Sequence, residues 1–385
     1  MSGNSTTPVP LCDLGTQYRQ IQSEVEQAVL QVLRGGQVIL GPEVAAFEEE
    51  AAAFTGAHYG VGCGSGTDAL LLALQALEIG PGDEVILPPF TFFATVGSVL
   101  RTGATPVFAD IDPLTFNIDP RHVDAKITKR TRAIMPVHLY GQCADMEPIW
   151  WLAEQYDLAV IEDAAQAIGA EYRGVRTGTL GQLACFSFYP SKNLGTYGDA
   201  GLVTTNNPDW AARMKALRVH GMEPKYYHKY LGWNARIDAI HAAILRVKLP
   251  YLERWTTARQ QAATRYDALI EASRLHRFMQ RPAVRDECRH VFNQYVVRVP
   301  GSERDSLLQH LRQNGVAAEV YYPVPLHLQE CLGHLGYQPG DFPISEEACR
   351  SVVALPMFPE ITAQQQQRVI DVCASYRMRQ TRLAA

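Results

Sequence analysis

Three short stretches of this chain hold the residues whose types and spacing could do chemistry. The first is Cys185-Phe186-Ser187-Phe188-Tyr189-Pro190-Ser191-Lys192-Asn193-Leu194-Gly195, followed by Gly198 and Gly201. A lysine on open surface stays solvated and protonated. An amine partly desolvated among aromatic rings loses proton affinity and becomes a nucleophile toward an aldehyde, forming a Schiff base. The second stretch, Leu158-Ala159-Val160-Ile161-Glu162-Asp163-Ala164-Ala165-Gln166, is an apolar run that delivers Asp163 and then Gln166 at its C-terminal end. Open α/β sheets bind their ligands at that end. An aspartate there could bind a metal, hold a ribose, pair with a protonated ring nitrogen or cap a helix. The third stretch is the turn Gly62-Cys63-Gly64-Ser65-Gly66-Thr67-Asp68. Its backbone amides, at the start of a helix, suit a phosphate. It lacks the Gly-Lys-Ser/Thr ending of a P-loop, while Gly64, Gly66 and Ala69 satisfy a loose dinucleotide pattern. A tight turn with no ligand is the other reading.

The dinucleotide reading demands an acidic residue at the end of the next strand to hold a ribose. That strand, Glu84 to Leu87, runs instead into Pro88-Pro89-Phe90, so an NAD-dependent sugar dehydrogenase is the second reading. Jointly, the three stretches supply what pyridoxal phosphate (PLP) requires: a phosphate cradle, a carboxylate that keeps the pyridine nitrogen protonated, and a lysine partner. In Phe90-Thr91-Phe92-Phe93 an aromatic could stack on the flat ring or simply pack in the core.

The elements that must position these residues follow from apolar spacing. Tyr18, Ile21, Val25, Val29, Val32 and Leu33 recur at helical intervals until Gly35-Gly36, and a second helix follows Pro42. His58 to Cys63 reads as a strand and Thr67 to Leu77 as an apolar helix. Glu84–Leu87, Thr105–Ala109, Ala133–Pro136, Leu158–Ile161 and Leu202–Thr205 then read as strands. These runs are apolar throughout rather than alternating, which suits strands covered on both faces in an α/β sheet. From Lys248 to Arg274 the pattern becomes a long charge-rich helix, and a domain boundary is placed there. Residues 1–250 form the expected large domain and 251–385 a smaller α+β one. Within the latter, Gln294–Val299 and Val316–Tyr322 read as strands, and Arg304–Gln313 and Thr362–Arg377 as helices.

Composition narrows the function class. In 385 residues, 47% are hydrophobic and 19% charged, which excludes a disordered body. A formal net charge of -5 gives no footprint for general nucleic-acid or anionic-membrane binding. The uncharged run between Glu84 and Arg101 is too short and too rich in proline and threonine to span a bilayer. The first residues show no basic-then-apolar leader, so a cytoplasmic protein without membrane or nucleic-acid partners is expected. Eight cysteines show no CxxC spacing, so no metal or iron–sulfur cluster is expected.

Further motifs are Gln37-Val38-Ile39-Leu40-Gly41-Pro42-Glu43, Gly232-Trp233-Asn234-Ala235-Arg236-Ile237-Asp238 and Tyr322-Pro323-Val324-Pro325-Leu326-His327. With the Gly-Ser-Gly-Thr-Asp-Ala turn, Glu162 to Gln166 and the Ser187 to Gly201 loop, they make the sequence resemble the DegT/DnrJ/EryC1/StrS family of PLP-dependent nucleotide-sugar aminotransferases over nearly its whole length. The resemblance implies the fold-type I aminotransferase architecture, with a mixed, mostly parallel sheet in the large domain, and a homodimer with shared active sites. It implies that Lys192 forms the Schiff base and moves the proton, that Asp163 pairs with the pyridinium nitrogen, and that Gln166 bonds to the ring hydroxyl. By the same resemblance Gly66, Thr67 and Ser187 hold the phosphate, Asn234 reaches it from the other subunit, and Phe92 stacks on the ring. His220, Tyr322 and His327 match positions near the sugar, with a hydrogen-bonded loop residue as the alternative for each.

Family members with histidine in place of the lysine act as dehydratases, whereas this chain keeps Lys192. The wording of the lysine loop and of Tyr322–His327 is similar to members that aminate C3 of a 3-keto sugar, with the C4-aminating group as the alternative. The implied reaction is a ping-pong transamination. L-Glutamate turns PLP into pyridoxamine phosphate, and the amine passes to a UDP- or dTDP-linked 3-ketohexose. A non-catalytic regulator on the same fold is a further alternative.

Overall fold

The computed structural model describes residues 8–384. Seven strands form the central sheet: β1 (Tyr59–Cys63), β2 (Glu84–Leu87), β3 (Thr105–Phe108), β4 (Thr131–Ile134), β5 (Ala159–Asp163) and, after the two-residue strands β6 (Glu171–Tyr172) and β7 (Val175–Arg176), β8 (Leu183–Ser187) and β9 (Gly201–Thr205). Their order is β1-β9-β8-β5-β4-β2-β3, and β9 alone runs against the other six. The sheet is therefore α/β and mixed but mostly parallel, as expected. Its first strand lies at an edge beside an antiparallel neighbour, whereas a dinucleotide-binding fold starts at the centre of its sheet. This topology removes the basis for reading Gly64 and Gly66 as a nicotinamide fingerprint.

The strands are apolar over most of their lengths because both faces are covered. Helices α1 (Leu14–Gly35), α2 (Pro42–Thr55), α3 (Gly66–Ala76), α4 (Phe93–Thr102), α5 (Pro120–Asp124), α6 (Met146–Tyr156), α7 (Pro208–Leu217) and α8 (Ala239–Lys248) connect or flank them. Ile86, Ile134, Val160, Ala184 and Leu202 pack on Phe47 of α2, Ile149 of α6 and Leu245 of α8. Their strand neighbours Val85, Ala133, Ile161, Leu183 and Val203 face the opposite way, onto Leu70 of α3, Val99 of α4 and Met214 of α7. Alternation along each strand thus feeds two cores rather than a core and a wet face.

A third core joins α9 (Leu252–Ala272), β11 (Tyr295–Arg298), α10 (Gly301–Gln313), β12 (Val352–Leu355) and α12 (Ala363–Ala384). The remaining elements are β10 (Cys288–Arg289), which pairs with β6, and α11 (Pro343–Ser351). Helix α1 starts four residues before Tyr18 because the Asp13 side chain caps it, accepting from Thr16 N at 2.9 Å. Val316–Tyr322 is not the continuous strand expected. Val316, Ala318 and Val320 are buried on one side, as the alternation implies, but the backbone makes only isolated bridges, Val316 to Val9 and Glu319 to Ala354. Strand β12 is paired along its length with β11, and the segment grazes its other edge at a single residue before Pro323.

Candidate active site

The sheet brings the three stretches together at the C-terminal ends of its central strands. Asp163 ends β5, with its backbone held on both sides. Its N–H donates to Pro136 O at 2.9 Å, its carbonyl accepts from His138 N at 3.0 Å, and the next amide, of Ala164, donates to Cys185 O at 2.9 Å. The side chain is 5% exposed. Thr95 Oγ1, from the first turn of α4, donates to Oδ2 at 2.8 Å, and Ala165 N donates weakly to Oδ1 at 3.3 Å. Both donors are neutral. Burial consequently raises the Asp163 pKa above the ordinary carboxylate range, while Thr95 and the facing Lys192 pull the other way.

Lys192 is half-buried in the loop after β8. Desolvation lowers its pKa to about 8, against the opposing pull of Asp163. A substantial fraction of this amine is unprotonated at mildly alkaline pH, the state a nucleophile needs. The loop is folded tightly: Lys192 N donates to Tyr189 O at 2.9 Å and Thr196 N to Phe188 O at 2.9 Å. A Cβ on Gly195 would lie 2.6 Å from Pro190 O, so only glycine lets the chain turn back there.

The glycine-rich turn closes the site from the edge. Ser65 caps α3 by accepting from Asp68 N at 3.0 Å, leaving the amides of Gly66 and Thr67 at the helix start. A Cβ on Gly66 would meet Ser187 Cβ at 2.7 Å, so the helix start and the end of β8 are in direct contact. Amides, a threonine and a serine hydroxyl therefore converge where a phosphate could sit. Beneath the turn, the buried Arg218 guanidinium is bonded to Glu48 and donates to Gly62 O at 2.6 Å, while Gly62 N donates to Glu48 Oε1 at 2.9 Å.

On the far side, Gln166 Oε1 accepts from Tyr140 N at 2.6 Å and its Nε2 donates to Tyr322 OH at 3.1 Å. Phe92, 58% exposed, leans on the Tyr322 ring with centroids 6.0 Å apart. Lys192, Asp163, Gln166, Gly66, Thr67, Ser187, Phe92 and Tyr322 thus surround one region.

Three expected residues stand apart from that region's contacts. His327 is buried, its Nε2 3.2 Å from Glu346 Oε1 and its ring edge-on to Phe342. His220 and Asn234 are exposed, joined through the bridge from Val219 to Asn234. They flank an excursion that carries Leu231 at 95% exposure.

Sequence reasoning passed over Thr95, Tyr140 and the buried pair of His138 and Glu162. Ala144 N donates to His138 Nδ1 at 3.1 Å, so the ring proton sits on Nε2 and is donated to Glu162 Oε2, 3.1 Å away. The Glu162 oxygens also accept from Gly178 N and Gly181 N. This network sets the backbone of β5 one residue before Asp163. The only signal for Thr95 was its helical spacing from Thr91, whose hydroxyl it meets at 3.1 Å.

The model for the DegT/DnrJ/EryC1/StrS aminotransferase family matches residues 19–373. The chain is 50% identical to a pleiotropic regulatory protein of Geobacillus stearothermophilus, over 96% of this chain and 98% of the relative. It is 42% identical to a UDP-N-acetyl-3-dehydro-alpha-D-glucosamine 3-aminotransferase of Acidithiobacillus ferrooxidans, over 95% and 97%. Identity is 41% to a dTDP-3-amino-3,4,6-trideoxy-alpha-D-glucose transaminase of Streptomyces venezuelae, over 96% and 97%. Among solved structures, S. venezuelae DesV in complex with a ketimine intermediate superposes with a TM-score of 0.93 at 40% identity, covering 96% of this chain and 99% of that one. On the extent of this match and of these relatives, the chain belongs to the DegT/DnrJ/EryC1/StrS aminotransferase family.

Proposed function

We propose that this protein is a PLP-dependent aminotransferase that moves an amino group from L-glutamate to C3 of a nucleotide-linked 3-ketohexose. The observation that carries the reading is the facing of Asp163 and Lys192. A buried carboxylate bonded only to neutral donors stands before a lysine whose proton affinity is lowered, beside the Gly66–Ser187 cradle. The residues fit the cofactor: among the described residues no cation lies within ion-pair distance of the Asp163 carboxylate, whose hydrogen bonds come from the neutral Thr95 and Ala165, and a pyridinium nitrogen would supply one. When bound, PLP supplies an aldehyde and a protonated ring that draws electrons from the reacting carbon.

Each residue then has a task. Lys192 Nζ would anchor the cofactor and, when free of it, would be the base that carries the proton between the donor carbon and the cofactor carbon. Asp163 keeps its charge opposite the ring nitrogen, with Thr95 orienting the carboxylate. Gly66, Thr67 and Ser187 hold the phosphate, Gln166 fixes the ring hydroxyl, and Phe92 covers the ring. Tyr322, whose hydroxyl pKa burial raises further, stays protonated as a donor or acceptor beside the sugar.

The rest of the reading extends this assignment. Asn234 acts across a homodimer interface, completing the partner's phosphate site, and its exposure in one chain supports that role, while His220 borders the sugar. His327 borders the sugar site through its segment. The relatives of A. ferrooxidans and S. venezuelae are named for UDP- and dTDP-linked 3-amino sugars, which supports C3 as the position aminated. Residues 1–250 serve as the cofactor-binding domain and 251–385 as the smaller one. No described helix is long and apolar enough to cross a membrane.

The regulator's name carried by the G. stearothermophilus relative favours a second reading, a non-catalytic regulator on the same fold. One experiment separates the two. The visible absorption of the purified protein with PLP is recorded before and after addition of L-glutamate. A lysine-dependent band that converts to the pyridoxamine form supports the transaminase. A band that glutamate leaves unchanged favours the regulator, and no band at all overturns the cofactor assignment.

A further inference from the structure

A second lysine lies under the site and has no part in the chemistry above. Lys248, the last residue of α8, is 0% exposed. Its Nζ donates to Gly195 O at 2.7 Å and to Gln17 Oε1 of α1 at 3.1 Å, and it sits 4.2 Å from the centre of the Tyr197 ring. Both oxygen partners are neutral. The Glu360 carboxylate acts on it only from beyond ion-pair distance, and burial lowers the ammonium's pKa to about 8. Enclosing an ammonium without a direct ion pair is costly, and an apolar side chain would fill the space at less cost. The charge is therefore best explained by what it holds.

What it holds is the loop that bears Lys192. Gly195 is the point where the chain doubles back on Pro190, and Lys192 stands inside that closed turn. Helix α8 meets the loop again two turns earlier: a Cβ on Gly198 would lie 2.7 Å from His241 Cε1. Residues 241 and 248 share one helix face, seven positions apart. The loop is also tied on its other side, where Asn193 Nδ2 donates to Val291 O at 2.9 Å and Asn193 Oδ1 accepts from Asn293 Nδ2 at 2.7 Å.

We propose that Lys248 is a positioning residue that fixes the Lys192 loop by donating to the Gly195 carbonyl, with Gln17 and the Tyr197 ring holding its ammonium in place. Its importance for turnover rests on the reading of Lys192 as the cofactor lysine. The geometric claim does not.

The test is Lys248→Met, which keeps the length and removes the donor. Amide hydrogen exchange is measured on the cofactor-free protein, together with its melting temperature and the affinity and rate with which it takes up PLP. The amides of Lys192 and Thr196 should exchange faster by about tenfold or more, as expected for losing a charged hydrogen bond. Those of β9 should be unchanged, and PLP affinity should fall by a similar factor. A folded variant with unchanged exchange in residues 189–197 overturns the proposal. So does faster exchange spread evenly over β9 and α8, because that marks a merely structural role. Should the methionine variant fail to fold, Gln17→Ala withdraws one partner of the ammonium. Its expected signature is the same localised rise in exchange, and unchanged loop exchange overturns the proposal. If the wild-type protein takes up no PLP, the cofactor reading falls while the exchange comparison still decides the positioning claim.

Discussion

Asp163→Asn separates folding from chemistry more cleanly than any other substitution in this site. The amide has the shape of the carboxylate and can still accept from Ala165 N or Thr95 Oγ1, so the local structure has no steric reason to change. The carboxylate's pKa is raised by burial in the cofactor-free protein, so between the ordinary carboxylate range and that raised value the folded state holds more protons than the unfolded one. Stability is lost as pH rises through that window, and above it the ionised group is a net cost. Removing the charge should leave the cofactor-free melting temperature unchanged or slightly higher. The reaction should respond in the opposite way. Leaving one member of a buried charge pair without its partner costs about 3–5 kcal/mol. If that difference appears in the barrier for proton removal, it corresponds to about 10²- to 10⁴-fold in rate. Single-turnover mixing of the PLP-loaded variant with L-glutamate, followed at the visible band, measures it. A rate within about threefold of wild type would refute the electron-sink role. A slow rate accompanied by a large fall in melting temperature would instead show that Asp163 acts through the fold.

Three further outcomes follow from the same geometry. The rate at which cofactor-free protein captures PLP through Lys192 should rise with pH and reach half its maximum near pH 8, because burial lowers the amine's pKa to about 8; a profile still climbing steeply at pH 10 would contradict this. Lys192→Ala should cut turnover by about 10⁴-fold or more while the cofactor-free protein melts normally, since the protonated, desolvated amine costs stability at neutral pH. Arg218→Ala should destabilise by about 3–5 kcal/mol in urea unfolding, because it leaves the buried Glu48 carboxylate with only the Gly62 amide and the Lys215 ammonium at 3.9 Å; Arg218→Ala with Glu48→Gln should recover part of the loss.

Much of the fold was legible because its signals are local. Strands covered on both faces are apolar along their buried lengths, as Val85, Ile86 and Leu87 are, with polar residues such as Glu84 and Thr105 at their ends. The end of α1 was read from Gly35-Gly36, whose role depends on the preceding turn alone. Val316–Tyr322 shows where local signals stop. Its alternate residues Val316, Ala318 and Val320 are buried as in a strand, yet a strand also needs a partner with free backbone groups. Whether β12 would offer its second edge depends on a hairpin-distant pairing that no local pattern encodes.

The site divides along the same line. Lys192, Asp163 and Gly66 sit where the chain itself advertises chemistry, at strand ends and before a glycine-rich turn. Thr95 lies 68 residues from the carboxylate it serves, and Lys248 is 53 from the carbonyl it holds. Each looks like an ordinary helix residue until the fold is assembled. These concealed residues share a property: each donates to a group whose position or charge matters, and neither is placed to react. A reacting side chain must present its functional atoms to a ligand and so tends to occur at a loop or strand end, where sequence pattern is informative. A supporting donor need only arrive from any packed element with its hydrogen, and many helix faces could supply one. The legible part of this site is therefore its reactive surface, and the hidden part is what holds that surface still.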